Sequence, residues 1–162
     1  MQTSSCGTTA TLRLKSVGAI FLTLSLALPA FATLGGNESS VEADRAQMKA
    51  TVTMSKTNAY SVHEIKTNFG TVVREYVSAG GQVFGVAWQG PFIPDMQQLL
   101  GTYFQQYSTA AKAAREKARG RRPLDIHEQG LVMQSSGHLR AYWGRAFDPG
   151  LVPQGIKLEE IR

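Results

Sequence analysis

The chain has 162 residues, 43% of them apolar, with 17 Lys and Arg against 12 Asp and Glu and one cysteine. That length supports one compact core, and a lone Cys6 excludes a disulfide framework and a thiolate metal centre. A formal net charge of +5 is mild and does not by itself argue for nucleic-acid binding.

The first stretch carries Arg13 and Lys15 with no acid, an uncharged run from Val17 to Leu28, then Pro29 and the small-x-small pattern Ala30-Phe31-Ala32. This is the layout of a secretory signal, and cleavage is expected between Ala32 and Thr33. The run is too short to serve as a permanent membrane anchor, since a bilayer takes about 20 helical residues to cross. The expected division is a signal peptide over 1–32, a domain over 33–147 and a C-terminal tail over 148–162. Cys6, Arg13 and Lys15 would leave with the signal. The mature chain would then hold 130 residues, no thiol, no membrane-spanning segment and a charge of +3 from 15 cations and 12 anions.

In the mature region, Ser39 followed three residues later by Glu42 fits a capping box, and a short N-terminal helix is expected from about Ser40 to Ala50. From Asn58 to Gln89 the chain turns to Val, Ile, Tyr, Phe, Thr and Trp, broken by Asn68, Gly70, Gly80 and Gly81. That reads as a three-strand meander. In QVFGVAWQ simple alternation puts Phe84, Val86 and Trp88 on one face and Val83, Gly85 and Ala87 on the other, a small face that could admit a helix. Asp95, with Gln98 at the capping position, opens one long helix to Ala118, followed by a loop. Next, Gly130–Ser135 and Leu139–Phe147 around Ser136-Gly137 read as a hairpin. The tail is expected to be poorly ordered or draped on the surface. The predicted class is α+β: an antiparallel sheet of about five strands packed against one long helix.

The run GTVVREYVSAGGQVFGVAWQGPFIPDMQQLLGTYF, with LGGNESSV before it and YSVHEI between, resembles the domain of unknown function 2844, a family of small exported proteins of Gram-negative bacteria. The likeness covers Leu34 to Tyr107. It implies export and a small single domain, with no established activity, cofactor or substrate, so no catalytic residue is carried over from it. The basic stretch after Tyr107 lies outside the recognised part.

No set of residues with catalytic spacing emerges. His63-Glu64 and His127-Glu128 are adjacent pairs, and neighbours on a strand point to opposite faces, so His63 and Glu64 do not readily bind one ion; no helical H-E-x-x-H spacing is present, and His138 stands alone. No metal and no cofactor are expected. Serines lack an elbow or S-x-x-K context, and nothing brings two of Glu64, Glu75 and Asp95 together as a carboxylate pair. Arg74 and Tyr76 share a strand face. Either Arg74 grips a ligand carboxylate or phosphate, framed by Tyr76 and Trp88, or the segment makes a cross-strand ion pair on the open face, for instance with Lys66 or Glu64; the second is the preferred reading. Lys112, Arg115, Lys117, Arg119, Arg121 and Arg122 crowd the end of the long helix. The helix dipole favours cations there, and such a patch also suits an anionic envelope surface. The aromatic interleaving needed for nucleic acid is absent.

The sequence therefore points to a non-catalytic exported module, periplasmic, surface-associated or extracellular, that binds an envelope protein or an anionic envelope polymer. Trp88, Phe92, Ile93 and the basic patch are the contact candidates. One alternative is an envelope-polymer hydrolase whose site forms only in the fold, with two of His63, Glu64, Glu75, His127 and His138 in a deep cleft. Another is electrostatic attachment to anionic lipid or polysaccharide through the basic helix end.

Overall fold

The computed structural model describes residues 34–37, 51–117 and 123–162. The expected signal peptide, the expected helix from Ser40 to Ala50, and Arg119, Arg121 and Arg122 lie outside the described residues.

Seven strands form one antiparallel sheet: β1 (Thr51–Lys56), β2 (Tyr60–Lys66), β3 (Val72–Ser78), β4 (Val83–Gly90), β5 (Leu124–Glu128), β6 (Leu131–His138) and β7 (Ala141–Phe147). Their order is β1-β2-β3-β4-β7-β6-β5. Two meanders thus meet where β4 pairs with β7. The helical segment between them runs through α1 (Met96–Leu100), a 3-10 turn (Gly101–Tyr103) and α2 (Phe104–Lys117). Asp95 caps it, its Oδ1 accepting the backbone N–H groups of Gln97 and Gln98 at 2.9 and 3.2 Å, which satisfies donors that a helix start leaves unpaired.

The expected α+β fold with five strands is corrected to a seven-strand, mostly-sheet structure. Both additional strands are the edges. β1 is exposed except for a half-buried Val52, and its alternation is short, limited to Val52 and an exposed Met54. β5 has alternation at Leu124 and Ile126 but only five residues, and sits in a stretch expected to be loop. The second hairpin is also shifted. Ser136 and Gly137 are in strand, and the turn is Leu139-Arg140, with His138 opposite Ala141.

Each face of the sheet has its own core. On the first, Ile65, Val73, Val77, Val83, Val86 and Trp88 pack with Met96, Leu99, Leu100 and Ala111 of the helical segment. Leu34 joins them, held by its N–H on the Leu99 carbonyl at 3.2 Å. On the second, Tyr76, Phe84, Ala87 and Phe147 pack with Ile161. The register slips between Tyr76 and Val77, which face Gly85 and Val83. Such a bulge inserts one residue and reverses the alternation beyond it. Phe84 consequently joins Ala87 on the second face, correcting the expected grouping with Val86 and Trp88. The small face admits the tail in place of the helix, with Ile161 lying against Gly85 and Phe147.

The tail from Asp148 is draped over that second face. Arg145 Nη1 donates to the Leu158 carbonyl at 2.7 Å, Tyr60 OH donates to Glu160 at 2.8 Å, and Ile161 is fully buried. The Glu160 hydrogen bond, followed by burial, raises the Tyr60 pKa above its ordinary value. At the tail's root, Tyr103 OH donates to Asp148.

Candidate functional site

The loop end of the sheet concentrates what is chemically distinctive. There β2 turns into β3, β4 runs into the loop before the helix, and β6 turns into β7. Register shows the neighbours: Lys66 faces Val72, Val72 faces Gln89, Gly90 faces Tyr142, and Tyr142 faces Gly137. The β4 loop is fastened to the β2–β3 turn through Thr71, whose hydroxyl donates to the Phe92 carbonyl at 2.9 Å and accepts the Phe92 N–H at 3.3 Å. Glycine at 90 permits this approach, since a Cβ there would lie 2.5 Å from the Thr71 Cα.

Large apolar side chains project from this framework. Phe69 is 76% exposed, Phe92 54%, Ile93 57%, Leu139 78% and Trp143 50%. Phe69 and Phe92 meet edge to face with ring centroids 6.0 Å apart. Behind the tips opens a cleft of about 520 Å³, lined by Trp88, Ile93, Tyr107, Tyr142 and Trp143, with Arg115 as its cation. A second concavity, about 480 Å³, lies between Pro91 and the β6–β7 turn with His138 and Arg140 on its wall. Trp88 reaches its place by lying across Gly144, its register partner: a Cβ at 144 would fall 2.2 Å from Trp88 Cζ2.

The predicted residues are distributed over three places. Arg74 and Tyr76 lie on the tail-covered face, whereas Trp88 packs on the helix face, so the three do not frame one ligand. Arg74 Nε pairs with Glu64 Oε2 at 2.8 Å, directly across the strands. Its Nη1 reaches the Arg162 main-chain oxygen at 3.2 Å, and Tyr76 OH donates to the same oxygen at 2.9 Å. The tail thus occupies the position that a ligand oxygen would take. Phe92 and Ile93 are at the loop end. Lys112, Arg115 and Lys117 are exposed on α2, and of these Arg115 lines the cleft.

Phe69, Leu139, Arg140, Tyr142 and Trp143 were not singled out by sequence. Leu139-Arg140 lacks the Gly or Asn that marks a two-residue turn, although Arg140 adopts φ 64°. Trp143 alternates like a core residue and becomes exposed because its strand starts at the rim.

The carboxylates and histidines form no open catalytic site among the described residues. Ser61 Oγ lies 3.4 Å from His63 Nε2, and Glu75 stands opposite His63 in register. All three are buried on the helix face, so the hydroxyl is not presented to solvent as a nucleophile must be. His127 pairs with Asp125 at 3.0 Å on the exposed β5 edge. Of His63, Glu64, Glu75, His127 and His138, only His138 lines any of the main concavities of 370–520 Å³ among the described residues, at the loop end, the helix and the tail. No group of three His, Cys, Asp or Glu among the described residues could hold a metal ion. No described helix is long and apolar enough to cross a membrane.

Fold and site together define a small single-sheet antiparallel domain, clamped by a helix on one face and by its tail on the other, with an aromatic cleft and apolar tips at one end. The chain belongs to the family described as "Protein of unknown function (DUF2844)", which it matches over residues 30–161. The match takes in the basic stretch and the tail, well beyond the segment from Leu34 to Tyr107. No curated protein and no solved structure matches the chain.

Proposed function

We propose that this chain is an exported, non-catalytic binding module of the bacterial cell envelope, and that it makes its contact through the loop end of the sheet. The observation that carries the reading is the continuity of cleft and tips. Ile93 and Trp143 are each half-exposed and also line the cleft, so an occupant of the cleft would meet the projecting side chains as well. Several large apolar side chains exposed together at one end of a small domain mark an interaction surface. The buried placement of Ser61, His63 and Glu75 weighs against the hydrolase alternative.

The test is photo-cross-linking in living cells, with a reactive residue placed at 92, 93 or 143 and a control at exposed Gln129 on the opposite end. Cross-links to an envelope component from the first three positions and not from 129 support the reading. Equal labelling from all four, or a Phe92→Ser, Ile93→Ser double variant that leaves the cross-link at 143 unchanged, contradicts it. Recovery of the chain with Thr33 at its N-terminus from the envelope fraction would support export through the signal at 1–32.

A further inference from the structure

We infer that the loop end docks on a bilayer surface rich in anionic phospholipid. The inference rests on the binding-module reading and names its partner. Three features favour a lipid surface over a protein groove.

The first is shape. The apolar side chains stand on separate projections: Phe69 on the β2–β3 turn, Phe92 and Ile93 on the loop after β4, Leu139 on the β6–β7 turn. They surround Pro91, which contacts Gly70 on one side and borders the His138 and Arg140 concavity on the other. Separate convex tips suit a deformable medium in which each can be buried independently, whereas a protein partner would need a matching socket for each. Trp143 at the rim belongs to the residue type that settles at the headgroup level, its ring apolar and its N–H wet.

The second is charge. Lys66, His138 and Arg140 are exposed among the tips, and Arg115 lies in the cleft behind them. Opposing them at this end, Asp95 is occupied as the helix cap and Glu64 is paired with Arg74. Glu116 and Asp125 lie further back, between the cations of α2 and beside His127 respectively. Cations beside apolar tips match an anionic headgroup layer over hydrocarbon.

The third is Arg140 itself. It holds φ 64° at the turn tip, a conformation that costs an L-residue energy and that Gly or Asn would adopt more readily. Arg140 thus sets a cation at the tip of the hairpin at some cost in backbone energy, as strained positions at contact sites do.

The test uses protein purified from cells as they process it, with wild type and variants sharing the same N-terminus, so that residues 17–28 cannot explain a difference between them. Vesicles of phosphatidylethanolamine with phosphatidylglycerol are compared with vesicles of phosphatidylcholine alone. Binding to the anionic vesicles that weakens as salt rises is expected. A Phe69→Ser, Phe92→Ser, Ile93→Ser, Leu139→Ser variant should lose at least about tenfold in affinity, because these side chains supply the buried apolar area. Arg140→Gly should lose about fivefold through the charge while leaving the fold sound. If the quadruple variant is poorly folded, bromine-labelled phosphatidylcholine added to the anionic vesicles gives the same answer with unaltered protein. Rim Trp143 should be quenched on binding and buried Trp88 spared.

Equal binding to both vesicle types removes the anionic requirement and overturns the inference. Binding that survives the tip substitutions but fails when Lys112, Arg115 and Lys117 are neutralised overturns this face in favour of the helix end. Absence of binding to either vesicle overturns the lipid partner. In that case a surviving cross-link from 92 or 93 to an envelope protein keeps the binding-module reading, and loss of both removes the two together.

Discussion

At position 144 the absence of a side chain decides where Trp88 lies. The indole covers Gly144 so closely that a methyl group would sit 2.2 Å from Cζ2 and 2.8 Å from the Ser135 Cβ. Neither the central strands nor the buried ring has room to yield. Gly144→Ala should therefore cost about 1–3 kcal/mol, the range for overpacking a filled core, read as a lower urea midpoint with altered tryptophan emission. Arg140→Gly should act in the opposite sense on stability. Relief of the left-handed strain is worth at most about 1 kcal/mol once the added chain entropy is counted, and the midpoint should rise or hold even as vesicle binding falls. Tyr103 links the helix to the tail's root, and burial first, then its hydrogen bond to Asp148, push its pKa from the ordinary 10.0 to about 12. The folded state thus favours the neutral phenol. The stabilisation is complete below pH 10, where both states are protonated, and is lost as pH climbs towards about 12, because the unfolded phenol ionises first. Denaturation between pH 8 and pH 12 should show this fall, and Tyr103→Phe should flatten it; an unchanged slope would refute the assignment.

Among the elements, the tail shows how local reading misses a tertiary role. Its two prolines and its glycines look like a loose end, yet Ile161 is fully buried against Gly85 and Phe147, and the Arg162 main chain is held by Arg74 and Tyr76. Ile161→Ala should cost about 2–4 kcal/mol, as deletion of a buried aliphatic side chain does; a loss below about 0.5 kcal/mol, typical of surface positions, would mean the tail is not part of the fold. What sequence could read was periodicity with enough length. β2, β3, β4 and the capped helical segment after Asp95 all carried it. β1 carried too little of it, since in the exposed edge strand Thr51–Lys56 only Val52 and Met54 alternate, over six residues, and Met54 stays exposed. The bulge at β3–β4 could not be seen either, because it depends on which residues of two strands meet, and it alone moved Phe84 to the second face. The candidate site was half legible. Phe92 and Ile93 stood out in the loop between Pro91 and Pro94, while Leu139 and Trp143 were only parts of an expected strand, and their exposure followed from the shifted turn at Leu139-Arg140 and the placing of β7. The Arg74 alternatives were distinguished by register, which sets Glu64 directly across from it.

For the whole molecule, one sheet serves two cores, and this sets how it should unfold. The helix-side cluster and the tail-side cluster share strands β3, β4 and β7, so neither can lose its packing without exposing the reverse of the same strands. The two faces are expected to melt as a single cooperative unit. Leu100→Ala on the helix side and Ile161→Ala on the tail side should each shift the far-ultraviolet and tryptophan-emission transitions together, even though Trp88 lies on the face opposite Ile161. Coincident transitions from different probes are the mark of two-state behaviour. With no shared side-chain cluster between them, the two losses should add to within about 0.5 kcal/mol in the double variant. If Ile161→Ala instead produced an early change in tryptophan emission, through Trp143 beside Ile161 and Arg162, that left the far-ultraviolet signal unmoved, the tail would be detaching as a separate unit, and the second face with Arg74 and Tyr76 would then be open to an outside ligand. Coincidence places the tail within the fold and keeps the second face, with Arg74 and Tyr76, closed to an outside ligand.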